Sequence, residues 1–377
     1  MKLTDICEFH GGSQPPKSEW SSEYKDGYIR MLQIRDFTQE GRVTPEYVKI
    51  SNRLRLCTED DILIGRYGAS VGKILSGKSG AYNVAIMKAV PDTSVVRKQY
   101  LRYYFLSPNF QNYILNLGGR AAQAGFSKDD LARLEITVVS LEEQDKIVNE
   151  LSTLEKTIST KQKQLKEFDD LVKSRFIEMF VEKGFKEITF SDYAEIIDGD
   201  RGKNYPKAEE FSDEGYCLFL SAKNVTKDGF LFEQMQFISE EKDNLLRKGK
   251  LCRGDIVITT RGTIGNIAFY DDDIPYDNVR INSGMVIIRQ KEVSFNQVFF
   301  LNAFKNKIDE IKETNVTGAA QPQLPIHIMS KIKLLNPPIE LQNEFADFVK
   351  LIDKSKFVGY FILNIFYVKS SHFHHPP

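Results

Sequence analysis

The residues in this sequence that could do chemistry are few, and each is read most simply as structure. Asn336-Pro337-Pro338-Ile339 has the spacing with which adenine methyltransferases grip the amino group of a flipped base. Such a site needs an aromatic after the second proline and a glycine-rich cofactor loop upstream. Here Ile339 takes that position, no such loop precedes it, and prolines at this point suit the start of a helix. Gly68-Ala69-Ser70-Val71-Gly72-Lys73 approaches a phosphate-binding loop, but three residues separate its glycines and Ile74 stands where a metal-binding hydroxyl belongs. A turn between strands is expected instead. Pro91-Asp92 has no carboxylate-x-lysine partner for a nuclease centre, and His10 and His327 have no companion at ligand or triad spacing. Cys7, Cys57, Cys217 and Cys252 form no CxxC pair, so neither zinc nor a disulfide framework is indicated. No nucleophile, base, metal or cofactor site is expected, and the chain reads as non-catalytic.

What these residues leave is a set suited to reading nucleic acid. Arginine can bridge two acceptors on guanine in the major groove, and asparagine or glutamine can do so on adenine. Arg66 and Tyr67, with Lys73, follow one apolar run; Arg261 and Thr263 follow its copy. Arg120 and Gln123, with Gln321 and Gln323, fall in loops just before two long helices. Gln33, Arg35, Lys203, Asn204, Lys223 and Asn224 complete the candidate DNA-binding set. Any one of them alone is an ordinary solvated side chain; their occurrence as matched sets gives them interest.

The sets match because the chain is one unit written twice. Arg30-Met31-Leu32-Gln33-Ile34-Arg35-Asp36-Phe37-Thr38, then Gly41, aligns with LFLSAKNVT, then Gly229, at an offset of 188. Asp61-Ile62-Leu63-Ile64 with Gly68 aligns with Asp255-Ile256-Val257-Ile258 and Gly262. Ala121-Ala122-Gln123 aligns with Ala319-Ala320-Gln321 at an offset of 198, which holds to Leu141-Glu142-Glu143-Gln144 against Ile339-Glu340-Leu341-Gln342. A period of about 200 residues is a domain duplication rather than a solenoid. Within each copy, short apolar runs read as strands, glycine-rich links as loops, and residues 100–117 and 295–311 as helices, an α+β pattern.

After each globular part the period changes. Ile147, Leu151, Leu154, Ile158, Leu165, Phe168 and Val172 recur at spacings of three and four, interrupted by Lys161 and Arg175. Phe345, Val349 and Ile352 repeat the pattern in the second copy. This is a seam between helices, and two such seams are expected to meet antiparallel as a coiled coil. Ser140 with Glu143 fits a capping box, and roughly 40 helical residues make a rod of about 60 Å. Residues 358–377 depart from the pattern: an apolar stretch too short to span a bilayer, then a tail with His372, His374 and His375. We expect them to replace the rest of the second helix.

Fifty-one basic and 52 acidic residues give a formal net charge of -1, so any grip on nucleic acid must come from local patches. The first residues carry no apolar signal region, so a cytoplasmic protein is expected, with no membrane association.

This layout resembles the specificity subunit of type I restriction-modification systems. The likeness rests on the segment at residues 33–38 with its copy, the two Asp-apolar strands, the Ala-Ala-Gln loops and the two helix starts. The helix end Val172-Lys173-Ser174-Arg175-Phe176-Ile177-Glu178-Met179-Phe180 adds to it. The resemblance implies two tandem α/β target-recognition domains, at 1–140 and 184–337. It also implies coiled-coil helices at 141–183 and 338–357, before the apolar tail at 358–377. It further implies that the chain binds double-stranded DNA at a bipartite site. Two methyltransferase (modification) subunits would bring S-adenosylmethionine, and a restriction subunit would bring ATP-driven cleavage. Two other classes fit the sequence: a specificity chain serving a fused type II restriction-methylation enzyme, and a non-catalytic coiled-coil scaffold that binds protein.

Overall fold

The matched Asp-apolar runs form the central strands of their domains, Ile62–Gly65 and Asp255–Thr259. Alternate side chains of a strand face opposite ways, and here both faces are covered. Ile62 and Ile64 pack with Leu101, Phe105, Phe110 and Ile114, whereas Leu63 packs with Leu32, Tyr82 and Ile86. In the second copy Ile256 and Ile258 join Phe299, Phe300 and Phe304, whereas Val257 joins Leu218, Leu251 and Ile281. Burial on both faces is why these runs are apolar without alternation.

The computed structural model describes every residue except 40, 119–124, 292–294, 316–323 and 373–377. Two compact units emerge, one holding residues 1–161 and the chain from Ile362, the other residues 162–361. The first contains an antiparallel sheet in the order Cys7–Gly11, Ile86–Pro91, Ile62–Gly65, Ile74–Leu75. The second contains Ala194–Asp198, Met285–Gln290, Asp255–Thr259, Ile267–Tyr270 in the same order and sense. Each unit also holds a second sheet, five-stranded in the first and three-stranded in the second, that contains one parallel pair: Tyr28–Leu32 with Gly80–Tyr82, and Cys217–Leu220 with Val279–Ile281. The duplication in the sequence is therefore a duplication of topology.

The helical expectation for residues 100–117 resolves into two helices, Lys98–Leu106 and Pro108–Gly118, because a proline cannot continue a helix through its own missing N–H. Its counterpart is a single helix, Gln297–Asn315.

The first long helix spans Leu141–Phe176 and ends in a π-helical turn, Ile177–Val181. Ser140 Oγ accepts from the Glu143 amide at 3.3 Å, satisfying one of the free N–H groups at its start. The second long helix runs from Ile339 to His372. Helical backbone thus continues past Phe357, which corrects the expectation that the helix gives way there. The segment holds no proline, and its one glycine costs only about 1 kcal/mol. Gly359 is packed so closely that a Cβ there would stand 3.1 Å from Leu165 Cδ2. Among the described residues no helix is long and apolar enough to cross a membrane.

Within the second unit the two long helices touch. Phe176 meets the Phe345 ring edge-on at 5.5 Å, Arg175 pairs with Glu344 at 3.2 Å, and Lys356 pairs with Asp169. Residue numbers fall on one helix as they rise on the other. Phe176, Phe180, Phe299 and Phe345 form one aromatic cluster at the base of the second domain. Each fully buried ring of this kind contributes about 1.5–3 kcal/mol.

Candidate nucleic-acid interface

Several chain segments converge at one end of the first four-stranded sheet. Gly12 lies flat against residue 83, where a Cβ would stand 2.0 Å from the Asn83 carbonyl oxygen. The Asn83 amide donates to Leu32 O at 3.1 Å, which brings in the short helix Ile34–Thr38. The Arg66 amide donates to Ala85 O at 2.8 Å, and the Phe126 amide donates to Arg66 O at 3.3 Å. The Arg66 guanidinium lies 5.0 Å from the centre of the Tyr67 ring. It donates to Val84 O at 3.5 Å and to Phe126 O at 3.4 Å. These are long bonds to neutral acceptors, which a base edge or phosphate can replace.

The second domain repeats the frame bond for bond. A Cβ on Gly199 would stand 2.2 Å from the Asn282 carbonyl oxygen. The Asn282 amide donates to Leu220 O at 3.0 Å, the Thr260 amide to Gly284 O at 2.9 Å, and the Leu324 amide to Thr260 O at 3.2 Å. In both turns the asparagine Oδ1 accepts from the amide two residues on, Ala85 at 3.2 Å and Gly284 at 2.9 Å. Val84 and Ser283 are thereby equivalent. Gly199→Ala is expected to destabilise the second domain by about 1–3 kcal/mol, the usual cost of forcing an atom into filled space. Its thermal transition, followed beside that of the first domain, checks this.

The candidate residues fall differently on this frame. Arg66 and Tyr67 stand on the rim, as do Arg261, Thr263 and Lys203, whose side chains are exposed. Lys73 is exposed in the link between the strands Ile62–Gly65 and Ile74–Leu75, which are antiparallel. Gln33 and Arg35 both donate to the Glu46 carboxylate. Lys223 reaches Gln234 at 3.3 Å, and Asn204 donates to Leu245 O at 3.1 Å. Asn224 is only 2% exposed. Its amide donates to Leu231 O and Gln234 O, and its Oδ1 accepts from Ser221. The Asn224 side chain is spent on its own turn, as Asp36 is in the first copy, where it accepts from the Gln33 amide and from Arg30. Arg120, Gln123, Gln321 and Gln323 lie outside the described residues, as do His374 and His375.

On the helices, Leu165, Val172, Phe345, Val349 and Ile352 are buried, and Ile147, Leu151, Leu154, Ile158 and Phe168 are half-buried. The Asn-Pro-Pro segment links a strand to the second long helix. The Asn336 amide donates to Lys186 O, and Pro338 O accepts from Leu341. Burial pushes the Cys7 and Cys217 thiols up to about 12 and Cys57 to about 11, away from nucleophilic use. Among the described residues no cluster of three or more His, Cys, Asp or Glu side chains is placed to hold a metal.

Sequence reasoning missed Arg201. Its guanidinium donates to Ser283 O at 3.2 Å and pairs with Asp198 at 3.1 Å, so it occupies the place that Arg66 takes over Val84. Asp200 anchors the loop, accepting from the Gly202 amide at 2.7 Å and the Arg247 amide at 2.8 Å. Burial raises the Asp200 pKa, but these amides, the Lys248 amide and Arg280 outweigh it and hold the carboxyl below its ordinary value. Arg201, Lys203, Arg247 and Lys248 are all exposed. They form a local basic patch on a chain of near-zero net charge. The signal that could have found Arg201 is the shared Gly-then-Asn frame, whose glycines and asparagines fall outside both matched offsets.

The sequence profile of the type I restriction modification DNA specificity domain matches residues 1–168 and again residues 182–357. The chain belongs to this family. Among curated members, the specificity subunit of the type I restriction enzyme MjaVIII from Methanocaldococcus jannaschii is 24% identical over 379 residues, covering 94% of this chain and 85% of that one. The MjaIX specificity subunit of the same organism is 24% identical over 378 residues, covering 93% and 85%. The S subunit of a type-I restriction-modification system from M. genitalium shares the fold with a TM-score of 0.54 at 17% identity, covering 99% of this chain and 94% of that one. DNA target recognition is thus the role of a specificity subunit to which the two loop frames belong.

Proposed function

We propose that each domain reads one half of a split DNA target, and that the two halves differ. The observation that carries this reading is one backbone frame built twice with unlike side chains on its rim. Arg66 and Tyr67 crown the first copy; Arg201, Lys203, Arg261 and Thr263 crown the second. The long helices pair as an antiparallel coiled coil and hold the two readers a fixed number of base pairs apart. The contacts of Phe176 with Phe345 and of Lys356 with Asp169 support that pairing.

On this reading the chain does no chemistry. It directs two methyltransferase subunits and a restriction subunit to their site, in the cytoplasm. Those partners supply much of the phosphate contact, which fits a net charge of -1 on a DNA-binding chain. Methylome sequencing of the host tests the proposal. A split adenine-methylated motif is expected to vanish when the gene is deleted and to return on complementation; an unchanged methylome would overturn it.

A further inference from the structure

We propose that Gln144 and Gln342 are positioning residues that fix the angle between each long helix and its own recognition domain, and so set the half-site spacing accepted. The inference rests on the two-reader function above. Gln144 is 0% exposed and Gln342 1% exposed, one turn inside their helices. Gln144 Oε1 accepts from the Arg97 amide at 2.7 Å, while Nε2 donates to Val95 O at 3.0 Å and Val139 O at 2.9 Å. Gln342 Oε1 accepts from the Asn296 amide at 2.9 Å, while Nε2 donates to Pro337 O at 2.8 Å.

Arg97 stands at the N-terminal end of the domain helix Lys98–Leu106, and Asn296 precedes Gln297–Asn315. In each copy, then, one buried amide ties the first turn of the long helix to the first turn of a domain helix. A second pair lies beside each tie. Arg97 grips Asp145 at 2.8 and 2.9 Å, and Asn296 donates to Asn343 at 2.9 Å.

A side-chain amide both accepts from an N–H and donates to carbonyls, and neither a carboxylate nor an apolar side chain reproduces that joint. A buried group held by several hydrogen bonds is stiff, and Gln144, with both of its N–H groups donated, is the more fully bonded of the two. Stiffness matters because the helix is a lever. Its 36 residues span about 54 Å, and a rotation of about 5° at the joint moves the far end by about 5 Å. That exceeds the rise of about 3.4 Å between base pairs.

The test uses the full chain assembled with its modification subunits. Methylation is measured on duplexes carrying the native half-sites at the native spacing, one base pair shorter and one base pair longer. Gln144→Ala and Gln342→Ala are expected to lower the ratio of native to altered spacing by about tenfold, the scale of one or two buried hydrogen bonds. The half-site sequences should stay the same. Gln144→Glu and Gln342→Glu, which keep the acceptor and lose the donations, provide the reading if an alanine variant does not fold. An equal fall at all three spacings, or an unchanged ratio, would leave the glutamines merely structural and overturn the proposal. Failure of the wild-type assembly to methylate any split site would overturn the two-reader function instead.

Discussion

Alanine at Asp243 is expected to cost the second domain about 3–5 kcal/mol, the range found when one partner of a buried ion pair is removed. Asp243 is 1% exposed and Arg280 5% exposed. Arg280 Nε donates to the Asp243 carboxylate. Its other nitrogens donate to Lys248 O at 2.7 Å, Asp243 O at 2.8 Å and Leu246 O at 3.2 Å. Lys250 completes the carboxylate's shell at 2.5 Å. Without the carboxylate, a guanidinium remains in the interior with only neutral acceptors. Chemical denaturation with a probe in the second domain measures the loss.

The first domain provides an internal control. Arg280 pairs in register with Phe219 on the neighbouring parallel strand; in the first copy Ala81 holds that place opposite Met31. Its transition should not move. The pH dependence has a definite sign. Burial raises the Asp243 pKa, but Lys250 and Arg280 outweigh it and hold the carboxyl below its ordinary value. The stabilisation is therefore present above the usual carboxylate value of about 4 and is lost as pH falls through the lower folded value. The gap between wild type and Asp243→Ala should close on acidification. The same segment supplies the Arg247 amide that holds Asp200, so DNA binding by the second domain should weaken with its stability.

Arg66→Ala and Arg201→Ala are each expected to relax one half of the target and leave the other half intact. A bidentate arginine–guanine contact is worth about 1–3 kcal/mol of discrimination, or roughly 5–150-fold. The methylome of cells carrying each variant reads this directly: the motif should lose a specified base on one side only. Arg261→Ala should have the smaller effect in its half, because Arg201 is the guanidinium placed on Ser283 O as Arg66 is on Val84 O. Salt titration separates base from backbone contact. A uniform loss of affinity across sequences with a shallower salt dependence would assign the arginine to a phosphate and overturn its role as a reader.

Much of this was legible in the sequence where a physical constraint acts on consecutive residues. A strand buried on both faces must be apolar throughout, so Ile62-Leu63-Ile64 and Ile256-Val257-Ile258 marked the centre of each domain. A helix buried along one stripe must repeat at three and four, so Leu165, Val172 and Val349 marked the buried face. The proposed reading surface was less legible, because it joins segments far apart in the chain. The matched segment at residues 33–38 repeats largely for structural reasons: Asp36 and Asn224 close their own turns. Arg66 and Arg201 match in space but come from different strands, after Ile62–Gly65 and after Ala194–Asp198. No alignment of the two copies pairs them.

The rim of each domain hangs on main-chain bonds: Asn83 to Leu32, Arg66 to Ala85, Asn282 to Leu220 and Thr260 to Gly284. A main-chain bond does not depend on which side chain the residue carries. Exposed side chains on such a mount can be exchanged within about 0.5 kcal/mol of folding energy. On the proposed two-reader function, specificity can therefore be rewritten residue by residue without remaking the domain that displays it. A library confined to residues 66, 67, 201, 203, 261 and 263 would explore new DNA addresses while nearly every member still folds.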